Sequence, residues 1–307
     1  MNNAQKRKIL ISARKKDFLI KKMIERLGSL PNLEISIHDP TSDFLNLTQL
    51  SKVLGDVDLL VVKAAGESST DILHAASLNS LPTLNNSEAV SICRNKIALD
   101  IKLRNVFSLY NKELTLFHLP RAWLHPSPLR GLREFKQWAT QKLPLVFKSH
   151  DQHNEFFRFN FLALTSQEID DFIVNYKDFL YFDLYIQEFI ECDGFDRKIY
   201  VCGEEVFGIM RENPIYIYLR EKPDDIDVKS IKRTKFQLTP EIKKLALILA
   251  EELHLDIFGF DLIKTHSEKE ESYFLIDLND FPGFQGVKNA DKIITEYIIE
   301  YMDFLRL

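Results

Sequence analysis

The sequence predicts an α/β protein that begins with a parallel, Rossmann-like sheet and continues into two regions of mixed α+β structure. In residues 1–86, short apolar runs alternate with amphipathic stretches, which is typical of a parallel sheet covered by helices. From about residue 105 this alternation gives way to isolated strands, hairpins and amphipathic helices. We therefore predict an N-terminal domain over 1–86, a central subdomain over 87–186 and a C-terminal subdomain over 187–307.

The elements of the N-terminal domain follow from the spacing of apolar residues. Strands are predicted at 9–11, 33–37, 57–62 and 81–84, and helices at 17–27, 47–54 and 70–77. None of these strands is followed by a G-x-G-x-x-G turn, so the sequence lacks the dinucleotide-binding fingerprint.

The same spacing predicts the elements of the other two regions. A longer helix begins at Ser87 and carries Arg94 and Lys96. Further helices are predicted at 129–141, 166–175, 239–253 and 289–305. Strands are predicted at 143–147, 156–164 and 184–190, with hairpins formed by 198–201 with 206–210 and by 256–263 with 273–279.

Composition and charge exclude several classes of protein. The chain has 307 residues, of which 45% are hydrophobic, and a net charge of −5, which gives no general attraction to nucleic acids or membranes. Its three widely spaced cysteines form no zinc or disulfide pattern, which favours a reducing cytoplasm. No apolar run approaches the roughly 20 residues that cross a bilayer. We expect a cytoplasmic monomer without a nucleic-acid or membrane partner.

The hairpin formed by 256–263 and 273–279 carries the residues of a predicted metal site. Asp277 and Asn279 lie two apart near the end of an apolar strand, so both point from one face. A hairpin centred on Lys269 places Asp261 opposite Asp277, where like charges repel. A hard cation such as Mg²⁺, which prefers carboxylate and amide oxygens, would relieve this repulsion.

The alternative is an ordinary hairpin with incidental acids. A shift of one residue in the strand register would turn Asp261 to the other face.

Several cations lie where they could hold an anionic ligand. Lys148 ends an apolar strand, and the strand that ends at 187–190 could offer its backbone to a flat heterocycle. The hairpin around Gly203 is predicted to place Lys198 opposite Arg211, and a phosphate-rich ligand would relieve their repulsion. The cluster at 14–16 and Lys63 follow strands of the parallel sheet, where ligands of such sheets bind. For each of these cations, the alternative is a side chain exposed to solvent that binds no ligand.

The sequence of residues 276–283, IDLNDFPG, is similar to a family signature. It resembles the I-D-[IV]-N-x-F-P-G-[YF] motif of the inositol-tris/tetrakisphosphate kinases, the inositol 5/6-kinase type of ATP-grasp protein. The similarity extends over nearly the whole chain, since SARKK at 12–16, CRNK at 93–96 and the strand ends at Lys148 and 187–190 all have counterparts in the family. It implies an ATP-grasp fold, in which two α+β subdomains clamp ATP.

The resemblance also implies an activity and a role for each matching residue. It implies a kinase that uses ATP and one or two Mg²⁺ ions to phosphorylate a hydroxyl of an inositol phosphate. ATP would be bound by Arg94, Lys148, Gln187, Glu188 and Ile190. The metal ligands would be Asp261, Asp277 and Asn279. The substrate would be bound by Lys15, Lys63, His153, Lys198, Arg211 and Gly283. Lys148, Asp277 and His153 would be the catalytic residues.

The chain departs from the family in the loop at 149–154, SHDQHN, which lacks the family's glycine; His153 is the counterpart of the family's loop histidine. Two other functions are compatible with the same motifs. An ATP-grasp carboxylate–amine ligase would share the metal ligands and the adenine-binding strand end, but it would not need Lys15, Lys63 and Lys198. A binding protein on this fold would sense the nucleotide or inositol phosphate without turnover.

Overall fold

The computed structural model describes residues 6–149, 159–222, 226–265 and 271–305. In these ranges the strands form two four-stranded sheets and one six-stranded sheet. The predicted α/β architecture is confirmed: a parallel sheet lies at the N-terminus, and the other two sheets are mainly antiparallel. None of the described helices has the length and apolar character needed to cross a membrane.

The N-terminal sheet is parallel, with the strand order β2-β1-β3-β4. Its elements are β1 (Arg7–Ser12), α1 (Phe18–Gly28), β2 (Leu33–His38), α2 (Leu47–Leu54), β3 (Leu59–Val62), α3 (Glu67–Leu78) and β4 (Thr83–Leu84). The side chains of Ile9 and Ile11 in β1 are fully buried. Asp17 caps α1 by accepting a hydrogen bond from the Ile20 N–H, which satisfies one of the helix's unpaired donors.

The middle of the chain forms a small antiparallel sheet with its own aromatic core. Its elements are β6 (Ala122–His125), α6 (Leu132–Thr140), β7 (Leu145–Lys148), β8 (Asn160–Ala163), α7 (Ser166–Asn175) and β9 (Leu184–Glu188), and the strand order is β6-β9-β7-β8. Phe135, Phe147 and Phe172 are fully buried between the sheet and its helices. This core fixes the ends of β7 and β9, where Lys148 and Gln187 lie.

The largest sheet has the strand order β12-β11-β10-β13-β14-β5. Its strands are β5 (Phe117–His118), β10 (Phe195–Cys202), β11 (Glu205–Glu212), β12 (Arg233–Lys235), β13 (Ile257–Lys264) and β14 (Tyr273–Asn279). The helices of this part of the chain are α4 (Ser87–Arg94), α5 (Lys96–Leu109), α8 (Pro214–Glu221), α9 (Pro240–Leu253) and α10 (Ala290–Phe304). Neither α8 nor β12 was predicted from the sequence.

Two helices that precede the small sheet in sequence pack against the large one. Leu99 and Leu103 of α5 share a buried cluster with Phe258 and Phe260 of β13, and β5 pairs in parallel with β14. The subdomain boundaries at 86/87 and 186/187 stay predictions, and in the structure residues 87–118 contact the sheet formed mainly by residues 195–279.

The helix predicted from Ser87 is in fact two helices. The backbone of Asn95 is extended, and its side chain accepts hydrogen bonds from the N–H groups of Ile97 and Ala98. Asn95 therefore ends α4 and caps α5. As a result Lys96 is the first residue of α5, at a bend between the two helices.

The β10–β11 hairpin has a different register from the predicted one. Cys202 pairs with Glu205 across a two-residue turn at Gly203 and Glu204, so Lys198 pairs with Ile209 and Arg211 with Asp196. The prediction that Lys198 lies opposite Arg211 is wrong by two residues. The physical reason is the tight turn, in which Gly203 has a φ of +57° that glycine adopts at little cost.

Substitution of Gly203 tests this turn. A Cβ atom there would lie 2.4 Å from Cε2 of Tyr297 and would add strain at positive φ. We expect Gly203→Ala to reduce stability by about 2 kcal/mol or more, seen as a Tm several degrees lower. Gly28→Ala is the control, because a Cβ at Gly28 meets no atom within 4 Å. Equal Tm values for the two variants would contradict the described turn.

Candidate active site

A one-residue bulge in β14 determines which of its side chains face the site. Asp261 pairs with Asp277 and Gly259 with Asn279, but on the loop side Leu262 pairs with Leu275, so Ile276 is the extra residue. The predicted pairing of Asp261 with Asp277 is confirmed, and the register on the loop side is shifted by one. The bulge lets Leu275 face the apolar core while Asp277 and Asn279 point to the opposite face.

Three charged residues lie side by side across neighbouring strands. Lys198 pairs with Asp261 in the β10–β13 register, and Asp261 pairs with Asp277 in the β13–β14 register. We call these three residues the charged row. Lys198 Nζ lies 2.5 Å from Asp261 Oδ2, and Asn279 donates from Nδ2 to Asp277 Oδ2 over 3.0 Å. The structure thus brings the three predicted metal ligands to one face of the sheet.

Lysines from two other elements reach the end of the charged row. Lys96 Nζ at the start of α5 lies 2.8 Å from Asp277 Oδ1, and only 7% of the Lys96 side chain is exposed. Lys148 Nζ at the end of β7 donates to the carbonyl oxygen of Ile276 over 3.1 Å. A role for Lys148 was predicted from the sequence. Lys96 was included in the family-like motif CRNK, from which only Arg94 was assigned to ATP, and its contact with Asp277 joins residues 181 positions apart.

Burial and charge act in opposite directions on these groups. Burial would raise the pKa of Asp277, but the positive charges of Lys96 and Lys148 hold that pKa well below its usual value. Burial lowers the pKa of Lys148 to about 8, although the nearby Asp277 favours its charged form. Asp277 is therefore a permanent anion near neutral pH, whereas Lys148 can lose its proton in mildly alkaline solution.

A cleft of about 370 Å³ opens beside these lysines. It is lined by Lys96, Lys148 and Asp277, by Gln187 on β9, and by apolar side chains that include Leu99 and Leu278. The cleft is therefore lined by both cationic and apolar side chains, which suits a ligand with a flat apolar part and an anionic part.

The strand end predicted to bind adenine lies at this cleft and is already partly hydrogen-bonded. The N–H of Glu188 donates to the carbonyl of Arg121, and the N–H of Phe189 donates to the carbonyl of Pro144. The Glu188 carboxylate accepts from Arg121 Nε over 2.6 Å. Ile190 is half-buried just beyond the end of β9.

A polar network that sequence reasoning missed forms one wall of the cleft. Gln187 Nε2 donates to the hydroxyl of Tyr185 over 3.0 Å, and that hydroxyl donates to Asp100 Oδ1 over 3.2 Å. Arg104 binds the same carboxylate through two nitrogens. Tyr185 precedes Gln187 by two residues in one strand, so their shared face was available as a signal. The partner Asp100, on α5, was not.

Arg94 lies at the end of α4 and is half-buried. Its Nη1 atom is buried and has no hydrogen-bond partner among the described residues. Leaving such a donor unpaired is costly, and Arg94 is not among the residues that line the cleft.

A second cationic site lies at the carboxyl ends of β1 and β3. A pocket of about 420 Å³ is lined by Arg14, Asp17 and Lys63. Lys63 Nζ lies 2.6 Å from Asp17 Oδ2 and 5.9 Å from the ring centroid of Phe281, in the loop after β14. The pocket therefore adjoins the segment that follows Asn279.

Lys15 and Gly283, two other predicted substrate residues, are not among the residues that line this pocket. Lys15 contacts Asp43 at the surface, with Nζ 2.9 Å from Oδ1. Gly283 follows Phe281 in the loop after β14, and the nearest atom to a Cβ added there is 3.7 Å away, on Gln285. His153 lies outside the described residues.

Arg211 is held by a buried acid, contrary to the predicted pair of facing cations. Arg211 Nη2 lies 2.9 Å from Asp196 Oδ2, and the side chains are only 10% and 4% exposed. Asn213 Nδ2 donates to the other oxygen of Asp196 over 2.6 Å. Burial raises the pKa of Asp196, and Asp261 adds to this effect, while Arg211 opposes it.

The donor set of Asp261, Asp277 and Asn279 fits a hard divalent cation. In the described ranges, no cluster of three or more His, Cys, Asp or Glu side chains could hold a metal ion. The predicted set instead has two carboxylates and the amide of Asn279, which are oxygen donors that Mg²⁺ accepts. Both carboxylates are paired with lysines, so a cation must displace those lysines.

Part of the chain matches a protein-family model. Residues 218–300 match the model described as the inositol 1,3,4-trisphosphate 5/6-kinase ATP-grasp domain. The matched segment contains Asp261, Asp277 and Asn279.

Two kinds of curated relative match this chain. It is 28% identical over 133 residues to inositol-tetrakisphosphate 1-kinase 1 of Oryza sativa subsp. indica, covering 38% of this chain and 37% of the rice protein. It is also 28% identical over 123 residues to a probable alpha-L-glutamate ligase of Photobacterium profundum, covering 39% of this chain and 38% of that protein. The chain thus aligns with well under half the length of these relatives.

Solved structures match over nearly the full length. The RimK domain ATP-grasp protein of Sphaerobacter thermophilus gives a TM-score of 0.68 at 14% identity, covering 95% of this chain and 99% of that one. The ATP-grasp ligase PsnB, solved with its minimal precursor, Mg and ADP, gives a TM-score of 0.60 at 12% identity, covering 96% of this chain and 98% of that one.

At these identities the structural matches establish the fold, and the predicted ATP-grasp architecture is confirmed. The sequence resemblance to the inositol phosphate kinases is confirmed by the family model and the rice relative. The chain therefore has the ATP-grasp fold, and its residues 218–300 are similar to the ATP-grasp domain of the inositol 1,3,4-trisphosphate 5/6-kinases.

Proposed function

We propose that this protein is an ATP- and Mg²⁺-dependent kinase that transfers a phosphoryl group to a hydroxyl of an inositol phosphate. The observation that carries this proposal is the pairing of Asp261 with Asp277 beside Lys148, at the mouth of a partly apolar cleft. Phosphoryl transfer needs mainly positioning and charge neutralisation from the protein, and this arrangement can provide both.

The two acids of the charged row and the neighbouring Asn279 form the proposed metal site. Asp261, Asp277 and the amide oxygen of Asn279 would hold the ion, which when bound neutralises charge on the phosphates and on the transferred group. Asp261, Asp277 and Asn279 all lie in the segment matched by the family model. PsnB, which has a similar fold, was solved with Mg and ADP.

The cleft is the proposed nucleotide site. Gln187 and Lys148 line the cleft, and Glu188 and Ile190 follow Gln187 in the chain. Lys148 and Arg94 would supply cationic groups for the phosphates. An ammonium that is desolvated beside a phosphate interacts more strongly than one in water.

The proposed substrate site extends from the charged row towards the pocket around Lys63. Lys198 and Arg211 lie on the same sheet face as Asp261, and Lys63 adjoins the loop that contains Phe281. In the structure each of these three cations contacts a carboxylate. The phosphates of a substrate would therefore have to compete with those carboxylates. Lys15, Gly283 and His153 stay predictions for the same site.

A carboxylate–amine ligase is the second candidate. The Photobacterium relative supports it, since it matches at the same 28% identity as the rice kinase. The ion pairs of Lys198 and Arg211 also support it, because they leave less positive charge for a phosphorylated substrate than the sequence suggested.

A turnover assay distinguishes the two candidates. ADP release would be measured with ATP and Mg²⁺ against a panel of inositol phosphates and, in parallel, against amino acids and amino-acid pairs. We expect stimulation by at least one inositol phosphate, and Asp277→Asn should reduce it by about a hundredfold or more because the metal loses a charged ligand. Stimulation only by a carboxylate with an amine would identify a ligase.

The pKa of Lys148 predicts a pH dependence for nucleotide binding. The Lys148 pKa of about 8 lies below the ordinary lysine value, so the ammonium is lost as the pH rises through about 8. Anion binding requires the protonated form, so the Kd for ADP in EDTA should increase above pH 8, by at most about tenfold per pH unit. Titrations from pH 7 to 9.5 would measure it. Lys148→Gln should bind more weakly and lack this dependence; the same slope in both proteins would contradict the assignment.

The buried ion pair of Arg211 predicts a loss of stability in the free protein. Arg211→Ala would leave Asp196 without its cation, which costs about 3 kcal/mol when both partners are buried, and the Tm should fall by several degrees. Arg220→Ala is the control: Arg220 pairs with Glu212 at the surface, where ion pairs contribute little. Equal Tm values for both variants would show that the Asp196–Arg211 pair does not stabilise the fold.

A further inference from the structure

The polar wall of the cleft has a fixed direction of hydrogen bonding that begins at Arg104. Arg104 binds both oxygens of the Asp100 carboxylate, from Nε over 2.7 Å and from Nη2 over 3.1 Å, and Nη2 also donates to the carbonyl of Pro120 over 2.8 Å. A carboxylate held by a guanidinium is ionised, so it can only accept hydrogen bonds. Asp100 therefore cannot donate to its other neighbour, the hydroxyl of Tyr185.

The single proton of the Tyr185 hydroxyl is consequently directed at Asp100. The hydroxyl oxygen and Asp100 Oδ1 lie 3.2 Å apart, and a phenol has one hydrogen to donate. Burial raises the pKa of Tyr185, and the charge of Asp100 adds to this effect, so the hydroxyl keeps its proton at neutral pH. Towards Gln187 the same hydroxyl can act only as an acceptor.

This direction determines the orientation of the Gln187 side-chain amide. The amide nitrogen donates to Tyr185 over 3.0 Å, and the reversed amide would place its oxygen against a hydroxyl with no second proton to donate. The Oε1 atom is therefore turned away from Tyr185. Gln187 lines the cleft, and no described residue donates to its Oε1 atom. A ligand in the cleft thus meets a hydrogen-bond acceptor at Gln187.

The small sheet carries this acceptor on the same face as Lys148. Tyr185 pairs with Lys148 in the β7–β9 register, and Gln187 lies two residues further along β9, so the three side chains share one face of the sheet. Leu99 and Leu103 add apolar surface to the cleft. A nucleotide there would have apolar surface for its base, an acceptor for the edge of the base at Gln187 and a cation for its phosphates at Lys148.

We propose that Asp100 and Tyr185 are positioning residues that make the protein select adenine nucleotides, because they hold the Gln187 amide with its oxygen towards the cleft. The 6-amino group of adenine would donate to that oxygen. Hypoxanthine and guanine carry an oxygen at the same position, and two facing acceptors leave each other unpaired, which is costly in a buried site. The inference rests on the proposed nucleotide site, and it does not depend on which substrate is phosphorylated.

The test compares the affinities for ADP and inosine diphosphate (IDP), in which a keto oxygen replaces the 6-amino group. Both Kd values would be measured in EDTA by isothermal titration calorimetry, without turnover. Wild-type protein should prefer ADP by at least about tenfold. Tyr185→Phe removes the hydroxyl and lets the amide turn, so this preference should fall by about tenfold. A purely structural effect would change both Kd values together and leave their ratio at the wild-type value.

The matched control is Tyr110→Phe. The hydroxyl of Tyr110 also donates to a carboxylate, with Glu252 Oε1 at 2.9 Å, but Tyr110 does not line the cleft. The preference for ADP over IDP should therefore stay at the wild-type value. An equal fall in the preference of Tyr110→Phe and Tyr185→Phe would overturn the inference, because the position of the hydroxyl would then be irrelevant.

Two further variants test whether the effect passes along the network. Asp100→Asn can donate to Tyr185 and so removes the fixed direction, and the preference for ADP should fall as well. In a Gln187→Leu background, adding Tyr185→Phe should leave the remaining preference unchanged; a further fall there would show that Tyr185 does not act through Gln187, contrary to the inference.

The wild-type protein also provides a test that does not depend on the folding of a variant. Equal affinities for ADP and IDP, or an unchanged preference in both Tyr185→Phe and Asp100→Asn, would overturn the inference while leaving the nucleotide site in place. Failure of the wild-type protein to bind either nucleotide would contradict the nucleotide site itself, and the inference with it.

Discussion

The site depends on two carboxylates, Asp261 and Asp277, that face each other across a strand pair. Like charges in this position destabilise a sheet, so the arrangement persists only if cations are supplied nearby. Lys198 supplies one from the adjacent strand and Lys96 supplies another from a helix. The acids therefore explain why segments that are distant in sequence meet at this point.

The rest of the fold can be understood as the means of bringing those cations there. Leu99 and Leu103 fix α5 against the large sheet, which sets the position of Lys96. The aromatic core of the small sheet fixes β7, and Lys148 at its end reaches the carbonyl of Ile276. Because the lysines come from elements that pack on different cores, a relative movement of those elements would change the charge around Asp261 and Asp277.

The sequence predicted those features of the site that depend on local periodicity. The spacing of Asp277 and Asn279 was sufficient to place them on one face, and the position of Lys148 followed from the end of an apolar run. The family resemblance added the expected fold and the roles of the matching residues. Among these predictions, the pairing of Asp261 with Asp277 was confirmed in detail.

Features that depend on tertiary contacts or on single-residue changes of register could not be predicted. The bulge at Ile276 shifts half of a hairpin without any glycine or proline to signal it, and the tight turn at Gly203 moved Arg211 away from Lys198 and beside Asp196. Lys96 was part of the family-like motif CRNK, but its contact with Asp277 could not be predicted because the two residues are 181 positions apart. In each case a partner that is remote in sequence determines the role of the residue.

We propose that Asp261, Asp277 and Asn279 form a metal site that faces a bound nucleotide. Anomalous diffraction from crystals grown with Mn²⁺ and ADP would locate the ion. We expect a manganese peak within coordination distance of both carboxylates. ADP in the cleft with its manganese held by other residues would show that these three residues are not the metal site.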